Sequence, residues 1–300
     1  MKYAISNWIY GDEPLRYQIT RLARYNYQGI ELVGEPSRYS IAEVNNLCSE
    51  FNIEVSSILA WCISGIAGRD AASPDSSERR KAQKYGRDCV DLAIAVGASV
   101  IVVIPSPAGR TAPTGSPNSE IEWLSGYDEE WNYALESLSL LVKYAEERGV
   151  TIGLEPINRY ETFLISNLEQ ALKMINEVGS QALKIHLDTF HMNIDEPDPI
   201  EAIRQAGDRL INMHISDSNR EAPGEGHFDF TGMMAALNAI DYQGFLTLEP
   251  VPPGSNPLLS TQMRKYFKLR DIYAEKAIEY LKGIEGGNNQ KEFINNCNGD

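Results

Sequence analysis

The stretch Thr151-Ile-Gly-Leu-Glu155 is a short apolar run that closes on a carboxylate, with Pro156 directly behind it. Three later stretches repeat the design: Lys184-Ile-His-Leu-Asp188, Leu210-Ile-Asn-Met-His214 and Phe245-Leu-Thr-Leu-Glu249. Their terminal residues lie 33, 26 and 35 positions apart. Each interval holds one strand–loop–helix–loop unit, so the series predicts consecutive units of a parallel (β/α)8 TIM barrel. In such a barrel the carboxyl ends of the strands open on one face, where the active site lies. Proline restricts the residue before it to extended backbone, which suits a glutamate closing a strand at Glu155-Pro156 and Glu249-Pro250.

Working outward, strand patterns fall at 3–8, 29–33, 54–60, 99–104, 151–155, 184–188, 210–215 and 245–249. Helix patterns alternate with them at 13–26, 41–51, 78–96, 129–148, 168–178, 199–206, 231–240 and 258–283. Eight of each is the count of a closed α/β barrel, here a single domain over residues 1–284. No Gly-rich dinucleotide fingerprint follows the first strand, which weakens the rival open sheet. Two long connections, 64–77 and 105–128, read equally well as pocket walls or as surface insertions. Residues 285–300 are Gly- and Asn-rich with little apolar content and predict a disordered tail.

With 27 basic and 42 acidic residues the net charge is −15. So acidic a chain repels phosphate backbones and anionic surfaces, which argues against nucleic acid and membrane partners. The four cysteines, Cys48, Cys62, Cys89 and Cys297, form no C-x-x-C pair and predict reduced thiols in a cytoplasmic protein. Cys62 follows a predicted strand and is placed to line the pocket. No apolar run is long enough to span a bilayer.

Glu155, Asp188, His214 and Glu249 thus converge on one face as three hard oxygen donors and one imidazole. That set suits Mn²⁺, Co²⁺ or Mg²⁺ better than a thiolate-seeking metal, with Zn²⁺ still open. His186 lies two residues before Asp188 on the same strand face and reads as a hydrogen-bonded core histidine rather than a ligand. A single acid at a strand end is commonly a cap or salt-bridge partner; four ligating residues in register argue for a metal.

The segments Gly153-Leu-Glu-Pro-Ile-Asn-Arg-Tyr-Glu161, His186-Leu-Asp-Thr-Phe-His-Met-Asn193, His214-Ile-Ser-Asp-Ser-Asn-Arg220 and Leu248-Glu-Pro250 resemble the ketose 3-epimerases. That family includes D-tagatose and D-allulose (psicose) 3-epimerases, within the xylose-isomerase-like barrel superfamily. The resemblance covers residues 150 to 250. It implies that Glu155, Asp188, His214 and Glu249 hold one divalent ion, Mn²⁺ first and Co²⁺ next. Glu155 and Glu249 would double as the catalytic acid/base pair. Glu161, His191 and Arg220 would bind the sugar near its C1 to C3 end. Family members are often homodimers or homotetramers. Outside this motif, Arg220 would read as a surface ion pair and Glu161 as a loop salt bridge to Arg159.

The implied reaction is epimerisation at C3 of a free ketose through an enediolate. Inversion needs a proton removed from one face and returned to the other, so two opposed carboxylates serve better than one. The alternatives on the same scaffold are a sugar-phosphate epimerase or isomerase, a hydroxypyruvate-type isomerase, and a sugar or cyclitol dehydratase. A phosphate would need a cradle, for which Ser216, Ser218, Gly224, Gly226, Gly254 and Ser255 are the candidates. No lysine lies between Asp217 and Leu259, and Asp217 and Glu225 repel a dianion, which favours an unphosphorylated sugar.

Overall fold

The computed structural model describes residues 1–60, 62–115, 117–254 and 256–297; of residues 288–297 it describes the backbone alone. Eight strands form a closed, all-parallel barrel in sequence order. They are β1 (Lys2–Ser6), β2 (Gly29–Val33), β3 (Glu54–Leu59), β4 (Val100–Val103), β5 (Thr151–Leu154), β6 (Leu183–Asp188), β7 (Leu210–Ile215) and β8 (Phe245–Leu248). β8 closes the ring by pairing with β1 from Lys2↔Phe245 to Ile5↔Leu248.

Helices α1 (Leu15–Arg24), α2 (Ile41–Phe51), α3 (Ser76–Ala95), α4 (Glu120–Glu146) and α5 (Leu168–Val178) cover the first five strands. α6 (Thr189–Asp195), α7 (Pro199–Ala206), α8 (Phe230–Ala239), α9 (Pro257–Ser260) and α10 (Phe267–Cys297) complete the shell. Local chemistry fixes their ends. Asn167 caps α5 by accepting from Gln170 N–H, and Gly179 ends it at φ 71°. Among the described residues no helix is long and apolar enough to cross a membrane.

The barrel has two different layers. Between sheet and helices the packing is apolar, with Ile30, Leu32, Leu22 and Leu47 almost fully buried. Inside the barrel the alternation brings up polar side chains instead: Glu31, Ser57, His186, Asn212 and Thr247 are all buried.

The strands lie close to their predicted places, and the differences have local causes. Glu155 and Glu249 stand one residue beyond β5 and β8, yet each amide still donates to the neighbouring strand, to Val103 O at 3.0 Å and Ile215 O at 2.9 Å. α4 begins at Glu120 rather than 129, inside the predicted 105–128 loop. Ser119 caps it by accepting from Glu122 N–H. Gly126, which argues against helix on propensity, makes room for Pro113: a Cβ there would sit 2.8 Å from the proline Cβ.

The predicted helix 258–283 is broken into α9, a 3-10 turn at Arg264–Tyr266 and α10. Ser260 and Thr261 hydroxyls donate to Pro257 O and Leu258 O, competing with the helical ladder. Where composition predicts a disordered tail from 285, the backbone is helical to Cys297, and residues 298–300 lie outside the described residues. Glu285 ties this helix to β1 by accepting from the Met1 amino group and the Tyr3 hydroxyl, both at 2.9 Å.

Candidate active site and metal centre

The mouth of the barrel holds a cavity of about 450 Å³. Glu155, His214 and Glu249 line it together with His191, Glu161 and Arg220, and apolar side chains such as Ile63 and Leu258 complete the lining. Cys62 lines it, as its position after β3 predicts. Trp61 and Ser255 lie outside the described residues. The two long connections are knit together above the mouth. Ser64 N–H donates to Ala108 O at 2.8 Å, and Gly109 N–H to Glu161 O at 2.7 Å. Arg110, from the second connection, pairs with Asp70 of the first at 3.0 Å and with Glu130 of α4 at 2.5 Å. The second connection lines the cavity through Ala108 and Gly109, whereas 64–77 contributes no lining residue among the described residues and braces the second from outside.

His214 stands at the centre. Its Nδ1 lies 3.3 Å from Glu155 Oε1, and its Nε2 lies 3.5 Å from Glu249 Oε1. The two glutamates thus flank one imidazole. Asp188 caps α6 through Phe190 N–H at 2.8 Å and turns its other oxygen toward His191 Nε2 at 3.4 Å. The four predicted ligands do not fall within a single tight group. They are linked through three overlapping ones among the described residues: Glu155–His186–His214, Glu31–His214–Glu249 and Glu155–Asp188–His191.

Charge crowding shapes the acidities. Burial above all, then the charges of Glu31 and Asp188, raise the Glu249 carboxyl to about 8 against the pull of His214 and Arg220. Burial, with Glu155, raises Asp188 to about 6 although Arg220 opposes it. For His214 burial disfavours the charged form, but Glu249, Glu31 and Glu155 outweigh it and push its pKa well up.

The residues assigned to the sugar surround this centre. His191 Nδ1 accepts from Asn158, from Nδ2 at 2.7 Å and the amide at 3.3 Å. Its proton therefore sits on Nε2, and burial keeps the ring neutral. Glu161 accepts from Asn158 Nδ2 at 3.0 Å and lies 3.7 Å from Arg220 Nη1. It does not pair with Arg159, which instead binds Asp195 at 2.5 Å. Arg220 is no surface ion pair. Its backbone has φ 64°, unusual for a non-glycine, and its guanidinium lies over Phe190 at 4.6 Å.

His186 departs from its expectation. It is fully buried, its ring meets His214 edge-on at 4.1 Å, and neither ring nitrogen has a hydrogen-bond partner among the described residues. Burial, with the charges of His214 and His191, keeps it neutral.

Three residues escape a reading of strand ends. Trp8, in the 3-10 turn after β1, donates Nε1–H to Glu249 Oε1 at 2.6 Å. Glu31 reaches His214 from β2, its oxygens 3.0 and 3.2 Å from Nε2. Asn158 sets both His191 and Glu161. The signal for Glu31 is visible in Gly29-Ile-Glu-Leu-Val33, a lone carboxylate in an otherwise apolar strand.

The part of the candidate phosphate cradle around Ser218, Gly224 and Gly226 is already occupied by an acid of the chain. The Asp217 carboxylate accepts from the amides of Ser218 at 2.7 Å, Gly224 at 2.8 Å and Phe228 at 3.1 Å. Burial raises this carboxyl, but the amide donors outweigh it and leave its pKa lowered. A Cβ at Gly226 would fall 2.3 Å from Asp217 Oδ1, so the loop closes on this acid.

Comparison with known proteins follows the same line. The profile of the xylose isomerase-like TIM barrel family matches residues 19–270. An L-ribulose 3-epimerase of Methylomonas sp. (strain DH-1) is 30% identical over 280 residues, 89% of this chain and 90% of the relative. A D-psicose 3-epimerase of Ruminiclostridium cellulolyticum is 29% identical over 240 residues, 78% of each chain. The crystal structure of a Methylomonas D-allulose 3-epimerase in complex with D-allulose superposes with TM-score 0.79 at 29% identity, covering 94% of this chain and 96% of its own.

Proposed function

The chain belongs to the xylose isomerase-like TIM barrel family, among the ketose 3-epimerases, and from that premise we propose that it inverts C3 of a free ketose at a divalent-metal site. The observation that carries the reading is the placement of Glu155 and Glu249 on the two sides of His214. Glu155, Asp188, His214 and Glu249 are the proposed ligands. The donor set suits a hard divalent cation, Mn²⁺ first, then Co²⁺ or Mg²⁺. The buried acids support this: burial first, and then neighbouring carboxylates, raise Asp188 and Glu249, a cost to their charged forms that a cation would relieve.

When bound, the cation supplies Lewis-acid stabilisation of the negative charge that develops on the substrate's ketone oxygen. The protein supplies the proton transfers. A hydrogen on C3, beside the ketone, is removed by one glutamate, and the other returns a proton to the opposite face of the enediolate. In one direction Glu249 delivers the proton. Glu155 then accepts in that direction, and the roles exchange in reverse.

His191 offers Nε2–H to a sugar oxygen. Arg220 offers fixed guanidinium donors, and Glu161 accepts from a hydroxyl. These contacts fix which face of the carbon meets which carboxylate. The loop amides spent on Asp217 favour a sugar without phosphate.

The test is solvent exchange. In deuterated water, a panel of free ketoses should gain one deuterium at C3 together with inversion. A chelator should stop this and Mn²⁺ restore it. Exchange with no ketose, or full turnover by metal-free protein, would contradict the proposal. Preference for the phosphorylated counterparts would move the assignment to a sugar-phosphate epimerase.

A further inference from the structure

The geometry points to Glu31 as a positioning residue that fixes the tautomer of His214 and so presents Nδ1 to the metal. This inference rests on the metal reading above. Glu31 is fully buried on the inner face of β2. A buried carboxylate is costly to desolvate unless hydrogen-bonded, so its partners explain its presence. They are few and well defined. Ser57 Oγ donates to Oε2 at 2.7 Å, and His214 Nε2 approaches both oxygens, at 3.0 and 3.2 Å.

Ser57 is itself held. It accepts from Asn212 Nδ2 at 3.2 Å, and Asn212 Oδ1 accepts from Thr247 Oγ1 at 3.3 Å. Asn212 precedes His214 by two residues on β7, and Thr247 precedes Glu249 by two on β8. The chain of hydrogen bonds therefore runs across β2, β3, β7 and β8, beneath the proposed ligands. It anchors Glu31 below the mouth of the barrel.

The consequence concerns which nitrogen carries the proton. A carboxylate can only accept, so Nε2 must donate to Glu31. Glu249 Oε1 is a weaker claimant to that proton: it is 3.5 Å away and already accepts from Trp8 Nε1–H at 2.6 Å. Nδ1, 3.3 Å from Glu155, is then the nitrogen that gives up its proton to a cation and turns its lone pair to the ligand set. A ligating imidazole needs one nitrogen free and its ring held, which an acceptor on the far nitrogen provides. A rival role is that Glu31 ligates directly, since it shares a group with His214 and Glu249.

The experiment uses the full chain and Glu31→Gln. Mn²⁺ affinity is measured by titration calorimetry, and coordination is read from the visible absorption of Co²⁺-loaded protein. We expect Mn²⁺ affinity to fall about 10- to 100-fold, with the Co²⁺ bands of wild-type coordination number retained and the ketose KM at saturating Mn²⁺ unchanged. Ser57→Ala, which loosens Glu31 without removing it, should weaken Mn²⁺ binding in the same direction by about fivefold, the worth of one hydrogen bond. It also serves as the deciding variant if Glu31→Gln does not fold. Wild-type Mn²⁺ affinity in the variants overturns the inference. Co²⁺ bands that report a lost ligand also overturn it and make Glu31 a ligand. A wild-type protein that binds neither ion would instead bring down the metal reading, and the inference with it.

Discussion

The two halves of the barrel do different work at the same cluster. Glu155, Asp188, His214 and Glu249 stand at or one residue from the ends of β5 to β8 and are the groups to which chemistry is assigned. β1 to β3 supply the groups that hold them: Trp8 on Glu249, Glu31 on His214, and Ser57 on Glu31. A reactive carboxylate or imidazole can be placed by its own strand, yet its orientation needs partners from across the ring. Closure of the barrel is what brings β2 and β3 within reach of β7, so the closed topology is a condition of the site as well as of stability.

The comparison breaks most sharply at the two glutamates. Glu155→Gln and Glu249→Gln keep size and hydrogen bonding but cannot take up or release the proton. Each should lower kcat by about 10²- to 10⁴-fold, the usual worth of a general acid or base. Circular dichroism and thermal melting should stay near wild type. Loss of less than about tenfold in either variant would take proton transfer away from that residue and from the second half.

A smaller effect sharpens the role of the first half. Trp8→Phe keeps an aromatic wall in the pocket but removes the Nε1–H donor to Glu249. A hydrogen bond to a charged group contributes about 1.5–3 kcal/mol, so kcat should fall roughly 10- to 100-fold. KM should change less, because the lost bond positions a proton carrier and not the sugar. A variant with raised KM and unchanged kcat would make Trp8 part of the substrate wall alone.

The same division explains what the sequence discloses. The second half is legible because rare, ligating side chains close short apolar runs at one-unit spacing, two of them followed by proline. The first half hides its contribution. In Gly29-Ile-Glu-Leu-Val33 the alternation marks two faces, but nothing local says that the face of Glu31 is the barrel interior and not solvent. Ser57 and Asn212 are ordinary polar residues until closure brings them within 3.2 Å. α6 leaves no periodic signal because Thr189-Phe-His-Met-Asn-Ile-Asp195 is only seven residues long; Asp188, the predicted ligand, is also its cap. Helix ends shifted where side chains outweigh propensity, at Gly126 against Pro113 and at the hydroxyls of Ser260 and Thr261.

The gentlest test is the pH dependence of stability in metal-free protein. Asp188 is raised from 3.8 to about 6 and Glu249 from 4.5 to about 8, burial being the first cause of each. His214 is raised from 6.5, by Glu249, Glu31 and Glu155 against the effect of burial. Each of these binds a proton in the folded state at a pH where the unfolded chain has released it. Their contribution is complete below the unfolded values and is lost as pH rises through the folded ones. Glu31 shifts the other way, lowered because His214 and its hydrogen bonds outweigh burial. Its contribution is lost only as pH falls through its folded value, so it adds no slope of its own above about pH 5. His186 and His191, held neutral by burial, act the other way, but the three raised groups outweigh these two, so the metal-free protein should melt at lower temperature at pH 8 than at pH 6. Added Mn²⁺ should stabilise more at pH 8, where its ligands give up protons more readily. A melting temperature that rises from pH 6 to 8 without metal would mean that the crowded carboxylates are not protonated together. The division would then fail at its root, because groups of the second half would titrate no differently from Glu31.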